Sequence, residues 1–314
     1  MKRRVLGRTG LEVSELGLGT VALGTTYGFA PRGECDPPNE REAIGVIRAA
    51  LAGGIDLFDT APTYGRAEAL LGAALADSTR CTVCTKIGIP QTAEGRRLSG
   101  TALETFVTSS VESSLERLRR PRIDVLQLHN ATLDALRDRE LTSALGAVVK
   151  HGLVDHLGVS VYREDEALAA LEYDGFGVLQ IGLSLLDQRP SERILPLAEQ
   201  RGVGVITRSA LLKGALTSRA RSLPPDLARV SGAADAARRV LGLSWEQLPD
   251  AALRFCLSTR GVSTTLIGVS NLEELDSALN AAERGPLTER ELARTADVAV
   301  TDPAIVNPSL WSVP

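Results

Sequence analysis

The chain has 314 residues, 44% of them hydrophobic and 24% charged, with a formal net charge of -4. So mild an acidity, with no concentrated basic face, excludes nucleic acid as an expected partner. The start Met1-Lys2-Arg3-Arg4-Val5-Leu6-Gly7 is basic, but no apolar run of signal-peptide or membrane-spanning length follows, so no membrane partner is expected and the cytoplasm is the expected compartment.

In chain order, a hairpin is predicted first, residues 4 to 6 against 11 to 13 around Arg8-Thr9-Gly10. Eight short β-branched or aliphatic runs follow, near 16 to 20, 55 to 59, 81 to 85, 124 to 128, 157 to 160, 178 to 182, 203 to 207 and 264 to 267. Between them lie patterns with apolar residues at three and four spacing, near 40 to 53, 67 to 75, 101 to 119, 139 to 151, 164 to 171, 192 to 201 and 271 to 282. Strands alternating with helices predict repeated βα units around a parallel sheet, and eight of them predict an α/β (β/α)8 TIM barrel over residues 1 to 314 as one domain. The interval before the last strand is longer than one unit needs. Residues 217 to 232, rich in Ser, Arg, Pro and Gly, are read as a surface loop, with helices at 235 to 242 and 249 to 258; residues 21 to 39 are read as a second long loop.

Three successive strands run into an ionisable residue. Ile55-Asp56-Leu57-Phe58 ends in Asp59, with Tyr64 five residues later; Cys81-Thr82-Val83-Cys84-Thr85 runs into Lys86; Asp124-Val125-Leu126-Gln127-Leu128 runs into His129. Barrels place chemistry on the carboxyl ends of their strands. A phenol titrates near pH ~10 and works poorly as an acid or base at neutral pH unless a cation favours its phenolate. Lys86 supplies such a cation, Asp59 holds the lysine, and His129 adds a hydrogen-bonding group for a substrate oxygen. Taken singly, Asp59 also reads as a helix N-cap, Lys86 as a solvated strand end, and His129 as a core hydrogen-bonding residue.

Four cysteines, Cys35, Cys81, Cys84 and Cys256, are too few for a disulfide framework in so long a chain. Cys81 and Cys84 form a CxxC string. Three apart on a strand they point to opposite faces, so two buried strand residues are expected rather than a metal or redox pair.

The same residues, in order, resemble the aldo-keto reductase family. The resemblance runs from Gly7-Arg8-Thr9-Gly10-Leu11-Glu12-Val13-Ser14 to Asn307-Pro308-Ser309-Leu310-Trp311. Between these it takes in Gly17-Leu18-Gly19-Thr20, Asp59 to Tyr64, Thr85-Lys86, Leu126 to His129, Gly158-Val159-Ser160, Gln180, Arg208 to Gly214 and Leu266 to Ser270. It implies that the hairpin closes the barrel bottom and that Asp59, Tyr64, Lys86 and His129 are catalytic. It also implies a nicotinamide cofactor, NADP or NAD, held by Gly19, Thr20, Ser160 and Gln180, by Arg208, Ser209, Leu211, Lys213 and Gly214 after strand seven, and by Gly268, Ser270 and Glu274 after strand eight.

Three positions depart from the family pattern. Val161 replaces an Asn after Ser160; Leu183 stands where a ring-stacking aromatic is expected; and Gly268 to Glu283 contains neither Lys nor Arg but does contain Glu274. A carboxylate there disfavours a 2'-phosphate, so local residues lean to NAD while the family leans to NADP. The implied activity is a carbonyl–alcohol interconversion by hydride transfer on a small-molecule substrate, with no metal. With aromatics at 4% of the chain, a polar substrate such as a sugar or sugar-derived ketone is expected. The rival expectation is a nucleotide-binding, redox-sensing auxiliary subunit on the same fold. Oligomeric state is left open.

Overall fold

A computed structural model describes residues 1 to 28, 36 to 76, 78 and 81 to 311. Two short strands, β1 (Arg3–Val5) and β2 (Glu12–Ser14), pair antiparallel as a hairpin. Eight parallel strands then close into a barrel: β3 (Leu16–Gly19), β4 (Leu57–Asp59), β5 (Thr82–Ile87), β6 (Ile123–Leu128), β7 (Val154–Ser160), β8 (Phe176–Gly182), β9 (Gly204–Arg208) and β10 (Thr264–Gly268). Closure comes from β10, which pairs with β9 on one side and β3 on the other. Each falls on one of the eight apolar runs, because strands covered on both faces read as continuous hydrophobic stretches.

Two apolar clusters follow from the alternation along these strands. Leu57, Cys84, Val125, Val178, Ile206 and Leu266 fill the barrel interior together with Leu6 and Val13 of the hairpin. The much larger outer cluster joins the other strand faces to the surrounding helices. Cys81, just before β5, belongs to the outer cluster and Cys84, within it, to the inner, and among the described residues no group of side chains is arranged to hold a metal.

The hairpin seats on the amino-terminal end through backbone contact that only glycine permits. Gly7 has φ +54°, and a Cβ on it would lie 2.1 Å from the Gly204 nitrogen. Arg4 then ties the hairpin to the foot of β10, donating to the Leu257 and Val262 carbonyls. With that end plugged, the opposite mouth is left for a site.

Most predicted helices form within two residues of their expected ends, several with the caps their sequences offer. Asn39 and Glu42 make a reciprocal capping box on Glu40–Ala52, and Asp138 accepts from Glu140 and Leu141 at the start of Arg139–Lys150. The reading of 217 to 232 as a loop is corrected. Ser218–Ser222 and Pro225–Leu227 are 3-10 turns, and the helix Ala228–Leu241 has already begun. In the other expected loop, 21 to 39, Val21–Gly24 forms a helical turn and residues 29 to 35 lie outside the described residues. The tail carries further short helices, Glu289–Thr295 and Pro303–Val306, before buried Trp311. Among the described residues no helix is long and apolar enough to cross a membrane.

Candidate active site

Strand register brings the predicted cluster together. Asp59 is the last residue of β4, Lys86 lies near the end of β5, and His129 follows β6. Lys86 pairs in register with Gln127, so both project from the same face. Lys86 is 1% exposed and Asp59 3%. The Lys86 ammonium donates to Asp59 Oδ1 and, at 2.9 Å, to the Thr60 carbonyl. Burial pulls the ammonium toward the neutral form, but attraction to Asp59 and then to Tyr64 overcomes this, and its pKa ends above the ordinary lysine value.

Tyr64 is carried by the turn after β4. That turn is clamped by two glycines: a Cβ on Gly24 would lie 2.0 Å from the Tyr64 carbonyl oxygen, and one on Gly65, at φ +58°, 2.3 Å from the Gly24 oxygen. The clamp sets the phenol ring 4.9 Å from Lys86 Nζ and edge-on to the His129 ring at 5.8 Å. Burial, with the Lys86 and Arg208 charges, lowers the His129 pKa to about 3. The imidazole is therefore neutral at ordinary pH, with one N–H to donate.

Gln127 was quoted in the sequence motif but given no role. Its amide donates to Asp59 Oδ2 at 2.8 Å, and so does that of Gln180, also at 2.8 Å. The Gln127 carbonyl oxygen is buried without a partner. That Gln127 faces the site is readable from its spacing, since it precedes His129 by two and strand residues two apart share a face; its bond to Asp59 is not. Gln180 also accepts from Ser160 Oγ at 3.2 Å, so the two residues expected to hold a nicotinamide are wired to the acid of the cluster. Thr20 is buried, with its nitrogen and hydroxyl both donating to the Asp59 carbonyl, and Gly19 pairs in register with Asp59.

After β9 the chain turns sharply left-handed: Ser209 has φ +65°, Leu212 +46°, Lys213 +52° and Gly214 +95°. Non-glycine residues in this region are strained and cluster at functional sites. Tyr27 lies against this loop, its ring 5.4 Å from the Lys213 ammonium. Gly268, the last residue of β10, is exposed, and beyond it Glu274 accepts from the Ser270 nitrogen and hydroxyl and from Arg219 at 2.7 Å. A basic group thus does reach this corner, from the turn at Ser218–Ser222 and not from the Gly268 to Glu283 segment. Leu183 is buried in the outer cluster. The planar groups at that rim are instead Tyr162 and the Arg208 guanidinium, stacked 3.9 Å apart.

The chain that sets a buried Lys–Asp pair beside a phenol and a neutral imidazole, at the open end of a hairpin-plugged barrel, matches the model of the aldo/keto reductase family over residues 15 to 299. The chain belongs to the aldo/keto reductase family. It is an oxidoreductase of that family, whose members act on small carbonyl compounds and typically depend on NAD(P)H. The holo form of aldo-keto reductase AKR11C1 from Bacillus halodurans superposes with a TM-score of 0.80 at 27% identity, covering 96% of this chain and 97% of that one. L-galactose dehydrogenase of Arabidopsis thaliana is 29% identical over 88% of this chain and 87% of its own length. Pyridoxal 4-dehydrogenase of Microbacterium luteolum is 31% identical, with 87% and 91% covered.

Proposed function

We propose that this aldo/keto reductase interconverts a carbonyl and an alcohol with Tyr64 as the proton donor and acceptor. The observation that carries the reading is the buried Asp59–Lys86 pair set against the Tyr64 ring, with the neutral His129 ring edge-on to the same phenol. In reduction His129 donates a hydrogen bond to the carbonyl oxygen, and Tyr64 passes its proton to that oxygen as the alcohol forms. Lys86 keeps a positive charge beside the phenolate left behind, and Asp59, gripped by Gln127 and Gln180, fixes where that charge sits.

A nicotinamide nucleotide, NAD or NADP, supplies the hydride when bound. The donor set suits one: Ser160 and Gln180 present a hydroxyl and a carboxamide of the kind that pairs with an amide, and Arg208, Ser209, Leu211, Lys213 and Gly214 lie at the end of β9 and in the loop after it, left-handed at Ser209, Lys213 and Gly214, with cations for phosphate. Gly19 and Thr20 at the mouth, and Gly268, Ser270 and Glu274 at the far corner, complete the set. A polar carbonyl compound, a sugar or sugar-derived ketone, is the proposed substrate class, supported by the sugar in one relative's name. The test is continuous oxidation of NADPH and NADH with simple aldehydes. Sustained turnover supports the enzyme; tight nucleotide binding with a single turnover or none supports a redox-sensing subunit.

A further inference from the structure

Asp59, Lys86, Gln127 and Gln180 meet in one polar layer of the barrel interior, and the layer beneath it is apolar: Leu57, Cys84, Val125 and Val178 stand two residues earlier on the same four strands. Gln127 is fully enclosed there, and its carbonyl oxygen has no partner among the described residues. A buried acceptor left unpaired destabilises a fold, and a Met would fill the same space without one. What the amide supplies in return is its other end, which donates to Asp59 Oδ2 at 2.8 Å. Gly158, in register beside it on β7, makes the room, since a Cβ there would lie 3.1 Å from Gln127 Cγ.

Asp59 has two further side-chain donors. Lys86 takes Oδ1, and Gln180 shares Oδ2 while also accepting from Ser160 Oγ, so on the reading above Gln180 answers to the nucleotide as well as to the acid. The Gln127 side chain has Asp59 as its one polar partner among the described residues. We propose that Gln127 is a positioning residue that sets, through Asp59, how much of the Lys86 charge reaches Tyr64. The inference rests on the carbonyl–alcohol reading. An N–H on Oδ2 offsets part of the carboxylate's charge and keeps Oδ1 turned to the ammonium. Without it, Asp59 cancels more of the Lys86 field and the Tyr64 phenolate is less favoured. Asp59 and Lys86 from β4 and β5 and His129 after β6 stand around the phenol, with Tyr27 and Arg208 in electrostatic reach of the group, and the test leaves all of them in place.

The wild type and Gln127→Met are compared in butanal reduction and butanol oxidation between about pH 6 and pH 10, with fluorescence titrations of NADH and NADPH alongside. In the variant kcat should fall about ten- to hundredfold, with KM for butanal and nucleotide affinities nearly unchanged. The alkaline limb of reduction, which needs the phenol protonated, and the acid limb of oxidation, which needs it ionised, should both move up by about half to one pH unit. A rate loss with unmoved limbs marks a merely structural role and overturns the proposal, as do an unchanged rate or limbs that move down. These outcomes leave the carbonyl–alcohol reading standing, whereas failure of the wild type on butanal with both nucleotides sinks that reading and this proposal with it. Should Gln127→Met not fold, Gln127→Glu keeps the shape. Its rate relative to wild type should recover as the pH falls and the new carboxyl gains a proton with which to hydrogen-bond Asp59; a ratio flat in pH overturns the proposal.

Discussion

Lys86 is enclosed by protein and keeps its charge because Asp59 is enclosed with it. Removing one member of such a pair strands the other, at a cost of about 3–5 kcal/mol. Lys86→Met is therefore expected to lose that much stability in urea unfolding along with its activity, whereas Lys86→Met/Asp59→Asn regains much of the stability and stays inactive. A double variant as unstable as the single would show that the pair is not what the site is built on. His129 gives a pH signature. Its folded pKa of about 3 lies below the unfolded value, so between the two the unfolded chain binds the extra proton and stability falls as pH falls from about 6.5 towards 3. His129→Gln should lose less stability than the wild type between pH 7 and pH 4.5; parallel losses would mean the imidazole is not held neutral. Asp59, Tyr64, Lys86 and His129 were legible because each sits at or just past a strand end. The grip of Gln127 on Asp59 depends on pairing between strands, which a linear reading does not display.

The eight strands and most helices were legible because period two and period 3.6 patterns survive in single segments. The start of Ala228–Leu241 was not. Gly232 inside it costs about 1 kcal/mol against Ala, and the preceding Pro224-Pro225 reads as a turn, so composition suggested loop where packing imposed helix. Leu183 lies one residue beyond β8, where the chain turns into the outer layer. The cofactor argument drawn from Gly268 to Glu283 was local as well, and the turn Ser218–Ser222 brings Arg219 to Glu274 from outside that window. Since Glu274 neutralises Arg219, Glu274→Gln should shift the ratio of NADPH to NADH affinity about two- to fivefold towards NADPH, a size suited to a partly exposed pair. Arg219→Ala should move it the other way. No movement in either titration would remove this corner from nucleotide selection.

The closed barrel has two unlike ends. Gly7 and Gly204 lock the hairpin into one, and at the other the strained loop after β9, the Tyr27 segment and the cluster of Asp59, Tyr64, Lys86 and His129 gather. Added nucleotide should slow hydrogen exchange in residues 25 to 28 and 209 to 227 and leave residues 3 to 14 untouched. Protection confined to the hairpin would put the site at the wrong end. This polarity was readable once three strands were seen to end in ionisable residues, whereas the tail, built of helical turns of four to seven residues, carried too little periodicity to place. The central claim is that Tyr64 moves the proton, and Tyr64→Phe tests it most directly, because one oxygen is removed while the ring, Lys86 and Asp59 remain. Carbonyl reduction is predicted to fall about 10²- to 10⁴-fold with nucleotide affinity nearly unchanged; turnover close to wild type would contradict the account.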